Sequence, residues 1–373
     1  MSFHPYNHLI TLLGGLLLCI TASAQTLTSS LEEQAGVWLD LATYRCEQGD
    51  HEEAMRLLNI IELEFSPPPG IQKVITYLRD QGCYNQRKPR FKLSLSSGWS
   101  DNINQGPSLT QLTLGPGQLT LELAPSARPQ SDYFAAIEGE WYAAQSPDLS
   151  WQLSLHGFVK QHGQQQDFNQ QLLGATLVKS FRTQAWQWEW RTTASSATLG
   201  QHHFQDTVFT GLSVQKAGWL AESQWGYQQF PRYSTYNAVM GIHRVGYQYA
   251  PNHRSLLRAR LNYTIDQAQA QRPGGDRTGQ GWDVMGSYIV HERLKTEILL
   301  RFDDNRSKDI YYPGLFDMKR HQRWSELRWN WLYLLGANDG LQLQLFHNRV
   351  QDSVPILAFK QTGINLSWSH LFR

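Results

Sequence analysis

The chain has 373 residues with 33 basic and 32 acidic side chains, a formal net charge of +1. That balance excludes a charge-driven partner such as nucleic acid. A mean hydropathy of −0.47 describes a polar chain, and no segment beyond the N-terminal leader is long and apolar enough for a transmembrane helix.

The first 24 residues have the layout of an export signal. Leu9 to Ile20 form an apolar core, and Ala22-x-Ala24 supplies the small residues a signal peptidase requires. Cys19 follows Leu18 rather than a small residue, which argues against lipoprotein processing. The mature chain is expected from Gln25, outside the cytoplasm. Two cysteines then remain, Cys46 and Cys83. In an oxidising compartment an even pair reads as a disulfide, the alternative being two independent buried thiols.

Residues 25–86 are expected to be a helical segment, with its helices between Leu31 and Gln81. Leu31, Ala35, Trp38, Leu39 and Ala42 recur at helical spacing, Gly49-Asp50 breaks the pattern, and Ala54, Leu57, Leu58 and Ile61 resume it. Phe65-Ser66-Pro67-Pro68-Pro69-Gly70 ends that helix, and Ile71 to Leu78 form a third. The pair around Gly49-Asp50 is similar to a tetratricopeptide hairpin, although one hairpin buries too little by itself. Arg87-Lys88-Pro89-Arg90 reads as a linker at a membrane edge or as a solvated turn.

Residues 87–373 alternate apolar and polar positions in short runs. Period two suits a strand with one face in lipid and one in water, and a closed barrel is the sheet that can cross a bilayer without an open edge. A soluble β-sandwich is the alternative. The spacing predicts strands near 91–99, 131–142, 148–160, 167–181, 185–198, 203–215, 217–231, 234–249, 253–264, 278–291, 293–303, 320–333, 340–350 and 356–372. That is an all-β transmembrane barrel of fourteen antiparallel strands behind a small α-helical periplasmic segment. Sixteen strands result if Leu112 to Leu123, around Gly115-Pro116-Gly117, adds a hairpin to the barrel rather than ordering the first loop. Short links, such as Ala250-Pro251-Asn252 and Gly336-Ala337-Asn338, follow even strands and are expected at the periplasm. Long links at 100–130, 265–277 and 304–319 follow odd strands and are expected outside.

Faces follow from the alternation. Trp186, Trp188 and Trp190 alternate with Gln187, Glu189 and Arg191, and Trp329, Trp331 and Tyr333 with Arg328 and Asn330. Leu257, Ala259, Leu261 and Tyr263 oppose Arg258, Arg260 and Asn262. With the aromatic and aliphatic rows facing lipid, the lumen receives Glu138, Glu140, Lys160, Glu189, Arg191, Arg244, Arg258, Arg260, Lys295, Glu297, Arg301, Glu326 and Arg328. Their mixed signs argue against steep ion selectivity. They read either as an ion-pair network stabilising a closed barrel or as the lining of a transport path.

Chemistry finds little support. The chain has no Gly-x-Ser-x-Gly elbow, His-Glu-x-x-His helix or phosphate loop. Adjacent His202 and His203 on a strand would point to opposite faces. No catalytic, cofactor or metal site is expected.

Two stretches carry a family resemblance. Gly98-Trp99-Ser100-Asp101-Asn102-Ile103-Asn104-Gln105 has a glycine, a short spacer and Asn-x-Asn at the first strand. Asp352-Ser353 to Ile356 and Phe359-Lys360-Gln361-Thr362-Gly363 precede a final strand closing on Phe372. With the order of signal peptide, helical segment and barrel, these stretches resemble the surface lipoprotein assembly modifier family over the barrel, about three quarters of the chain. The resemblance implies a translocator in the outer membrane that moves lipoproteins or related proteins to the cell surface. Gly363, Leu366, Trp368 and Phe372 resemble the final-strand signal read by the barrel-insertion machinery. Expected partners are outer-membrane lipid, that machinery and the cargo. Polysaccharide export porins, which also join helical repeats to a barrel, and general diffusion porins are the competing readings.

Overall fold

The computed structural model describes residues 35–36, 38–43, 45–46, 51–65, 67, 69–79, 89–114, 119–143, 151–183, 186–252, 254–291, 293–336 and 338–372. The chain divides into two compact units, Met1–Tyr84 and Asn85–Arg373. The expected signal peptide, Cys83 and Arg87-Lys88 of the expected linker lie outside the described residues.

In the first unit, α1 (His51–Phe65) and α2 (Pro69–Leu78) follow a stretch that is helical at its described positions between 35 and 46. Ala54, Leu57, Leu58 and Ile61 form one stripe of α1 and are buried, as are Ile75 of α2 and Ala35 and Ala42 before α1. Pro69 opens α2 two residues before the expected start, because a proline at the first helical position lacks only an N–H that would have no partner there. Arg79, just past α2, donates to Asn59 Oδ1 at 2.9 Å and pairs with Glu62 at 2.5 Å, tying it to α1. Cys46 is disulfide-bonded.

The second unit runs β1 (Arg90–Ser100), β2 (Gln111–Leu114), β3 (Leu119–Glu122), β4 (Asp132–Tyr142), β5 (Trp151–His162), β6 (Gln170–Thr183), β7 (Trp186–Leu199) and β8 (His202–Lys216). It continues with β9 (Trp219–Gln229), β10 (Ala238–Asn252), β11 (Ser255–Ala268), β12 (Arg277–His291), β13 (Leu294–Tyr312), β14 (Phe316–Leu334), β15 (Asp339–Asp352) and β16 (Phe359–Phe372). β1 and β4 to β16 form a closed antiparallel barrel of fourteen strands, and β2–β3 form a separate hairpin within the first loop. The Leu112–Leu123 segment therefore orders the loop and adds nothing to the barrel.

Two connections differ from expectation. The stretch 304–319 is no loop: β13 and β14 continue as a hairpin to Tyr312 and Phe316, turning at Gly314, whose φ of +85° suits a residue without Cβ. Above the membrane both faces of a strand are wet, so the period-two signal fades while the pairing goes on. The link from β7 to β8, at the end where long loops were expected, is only Gly200-Gln201.

The barrel closes between β1 and β16, in register from Phe91↔Phe372 to Ser100↔Gly363. The first loop braces this seam. Asn102, only 2% exposed, donates from Nδ2 to Lys360 O at 2.8 Å on β16 and to Gly106 O at 2.9 Å, and its Oδ1 accepts from Gly106 N. Asp101 N donates to Thr362 O, and Thr362 N donates to Asp101 Oδ1 at 2.7 Å. Asn104 gathers the far end of the loop by donating to Arg128 O and accepting from Gln130 N. The Asp-Asn-x-Asn motif is thus a clasp across the seam. Asn102→Ala leaves several buried backbone groups without partners and is expected to lower barrel stability by about 2–3 kcal/mol. Urea titration of the folded band on unheated gels, with the Asn104 contacts intact, measures that loss.

Candidate functional site

Along β11, Leu257, Ala259, Leu261 and Tyr263 are exposed, whereas Arg258, Arg260, Asn262 and Thr264 between them are half-buried. Side chains on the outside of a curved sheet diverge and those inside converge, so the apolar row is external and the polar row lines the lumen. The outer surface is bare hydrocarbon in places: Leu173 and Leu261 are 69% and 68% exposed. An apolar exterior on an edgeless barrel is built for a bilayer. At the short-turn end Lys179 lies over Trp151 and Lys216 over Trp186, each 4.8 Å from the ring centre. Trp188 and Trp329 find acceptors in Thr183 and Thr296 for their indole N–H groups, as rings at a water boundary require. His370, the polar interruption in the outer row of β16, sits in this girdle between Trp368 and Phe372 and pairs with Asp339 at 2.9 Å.

Register assembles the lumen. Arg260, Asp283, Arg301 and Glu326 stand directly opposite one another on β11 to β14, a row of alternating sign. Arg260 Nε donates to Asp283 at 3.0 Å. Arg301 Nε donates to Asp303 at 2.6 Å, and Asn262 reaches the same carboxylate at 2.6 Å across Gly281. Arg244 pairs with Glu222 at 3.1 Å, Arg191 with Glu189 at 2.7 Å, Lys295 with Glu297 at 3.8 Å and Arg328 with Glu326. Arg258 donates to Met285 Sδ. On the other wall Glu140 stands opposite Lys92 and Glu138 opposite Ser94. Lys160 lies 4.1 Å from the ring centre of Phe134. Phe134, His156, Phe209 and Phe346 lie over Gly98, Gly174, Gly226 and Gly363 of the adjoining strands, where a Cβ would collide with each ring.

The carboxylate partners Glu222, Asp283 and Asp303 escaped the sequence reading. Each alternates with outer aromatics (Trp219 and Trp225, Trp282, Phe302), so the signal for their face was present. At the loop end Arg272 pairs with Asp266 at 2.9 Å and Arg320 with Asp352 at 2.8 Å. A pocket of about 470 Å³ opens there between the 269–276 loop and the tip of β13–β14. His203 bonds Asp206 and Ser196, and no three potential metal ligands gather among the described residues.

Exposure separates the two signs. Side-chain exposure is 45% for Arg301 against 14% for Asp303, 41% for Arg328 against 7% for Glu326, and 23% for Arg260 against 6% for Asp283. The carboxylates lie in the wall, and the guanidinium groups stand in the water. A near-neutral set of charges therefore presents a basic surface on this side.

No family model matches the chain, and no curated protein matches it. Solved structures resemble it at low identity and low TM-score. They include a bacterial polysaccharide outer membrane secretin at 8% identity and TM-score 0.43, covering 77% of this chain and 99% of that one. An anion-selective porin from Comamonas acidovorans is 10% identical with TM-score 0.40, covering 76% and 99%. The channel DcaP of Acinetobacter baumannii is 7% identical with TM-score 0.42, covering 76% and 97%. These likenesses assign no cargo.

Two outcomes follow from the lumen. Planar-bilayer recordings should show weak anion preference, and R301Q with R328Q should reduce the chloride-over-potassium ratio roughly twofold, about 0.4 kcal/mol. Asp283→Asn, at a largely buried pair, should cost about 1–3 kcal/mol. Glu189→Gln, at an exposed one, should cost under about 1 kcal/mol, both read by urea unfolding in detergent.

Proposed function

We propose that this protein is an outer-membrane translocator that assists display or secretion of lipoproteins or related proteins at the cell surface. The observation that carries the reading is a wet, polar, basic-faced lumen inside a closed barrel that follows a separate helical unit in the chain. A hydrophilic chain can cross such a lumen without meeting hydrocarbon, and a helical unit on the periplasmic side offers a surface for handing over cargo. The resemblance at Asp101 to Asn104 and at the final strand points to the same family of translocators. With no ATP in the periplasm, transfer would draw on cargo folding outside and on delivery by carriers.

A second reading, polysaccharide export, is favoured by the exposed guanidinium groups, which suit a hydroxyl-rich or acidic polymer. Protease shaving of intact cells co-expressing a candidate lipoprotein separates the readings. Under the first, accessible cargo rises severalfold with this chain and not without it. Polysaccharide release with unchanged shaving favours the second, and bilayer conductance with neither phenotype indicates a diffusion porin.

A further inference from the structure

The outside of β13 to β16 carries a feature that passage through the lumen does not use. Arg306, Arg323, Arg349 and Lys360 are exposed and occupy outward positions. Each shares its strand parity with an outer apolar row: Ile298 and Leu300 on β13, Leu327 and Trp329 on β14, Leu345 on β15, Ile364 and Leu366 on β16. Cross-strand register makes them neighbours. Arg349 stands opposite Lys360, Arg323 opposite Asp304, and Gln351 joins Arg323 to β15.

Their height is consistent. Arg349 is ten residues from Asp339, Arg323 eleven from Leu334, Arg306 twelve from Leu294 and Lys360 twelve from Phe372, counting from the short-turn end of each strand. A tilted strand spends about 9–11 residues in hydrocarbon. All four cations therefore stand at the far rim of the apolar belt, which is the outer leaflet if the longer connections face outward. On other strands the outward residues at this height include Gln161, Gln171, Gln229, Gln267 and Gln280. Among the described residues, outward cations at this height are confined to one quadrant.

One carboxylate organises the patch. Asp304, 7% exposed, accepts from Arg306 Nε at 3.0 Å, His321 Nε2 at 2.8 Å and Arg323 Nε at 3.4 Å. These contacts use Nε, and among the described residues no hydrogen bond involves the terminal nitrogens of Arg306 or Arg323. Four cations against one carboxylate leave an excess of positive charge, with two guanidinium forks held by their stems and open at their tips. Planar forks of this kind suit phosphate oxygens.

We propose that the outward face of β13–β16 binds the phosphate-bearing headgroup of a glycolipid in the outer leaflet. The belt below would take the acyl chains and the four cations the phosphates. The site rests on the barrel's placement in the membrane and not on any cargo.

The test uses the full-length protein purified from outer membranes. Co-purified phosphorylated glycolipid is counted by native mass spectrometry, and binding is titrated with vesicles containing lipid A or its dephosphorylated form. The wild type should retain the lipid and prefer the phosphorylated vesicles. R323Q with R349Q should weaken binding roughly ten- to thirtyfold. R323K with R349K, which keeps the charge but loses the planar fork, should recover only part of it, and Gln171→Ala, in the opposite wall, should change nothing. Heat-modifiability on gels confirms that each variant is folded. Equal binding by the glutamine variant, indifference to dephosphorylation, or full displacement by free inorganic phosphate would each overturn the proposal. Because no cargo is present, its failure would leave the shaving result untouched.

Discussion

Backbone closure is the constraint on which the rest of this molecule depends. In hydrocarbon every N–H and C=O must find a partner within the protein, so the sheet can have no free edge. Here the obligation falls on β1 and β16, the ends of the barrel sequence, which pair in register along β1. Two glycines, Gly98 and Gly363, lie on this seam under Phe134 and Phe346. The rings cover backbone that glycine leaves bare, and glycine admits the rings, so both halves of each contact are required. Asn102 then bonds the first loop to β16, and closure is reinforced from outside the ladder.

Closure also decides the character of the lumen. The inward faces hold acids and bases in near balance, yet balance of charge is not balance of exposure. Asp and Glu are short and remain in the wall, where their partners and the backbone surround them. Arg has a long apolar stem that lies along the wall while its head reaches water. The row Arg260, Asp283, Arg301, Glu326 therefore shows the lumen more guanidinium than carboxylate. Side-chain length, acting inside a concave surface, turns a mixed-sign composition into a basic wall.

The same physics sets how much could be read from the chain. The barrel strands announced themselves because one face is oily and the other wet, which forces period two on the sequence. Where that contrast ends, the signal ends: from Asp303 to Asp309 both faces of β13 are polar, and a continuing hairpin reads as a loop. The face of each lumen residue was legible, since parity with a neighbouring tryptophan suffices. Partners were not, because Arg260 meets Asp283 through a register fixed by the 269–276 connection, whose conformation the alternation does not reveal. Asp101 to Asn104 stood out as a motif, but its task as a clasp needed Lys360 and Thr362 to be brought to it, some 260 positions along the chain.

The clasp bears on the route a cargo could take. A polypeptide threading the lumen leaves β1 and β16 paired. A lipid-anchored chain must also bring its acyl group past the wall, and the seam is the place where strands could part. Parting at the loop end requires breaking the Asn102 bond to Lys360, the paired bonds between Asp101 and Thr362 and the Gln361 bond to Ser100 Oγ. At the opposite end the seam is held by ladder bonds and the contact of Phe91 with Phe372, 5.9 Å between ring centres. Side-chain bracing of the seam is thus concentrated at one end. Separation of β1 from β16 therefore meets less side-chain resistance at the short-turn end.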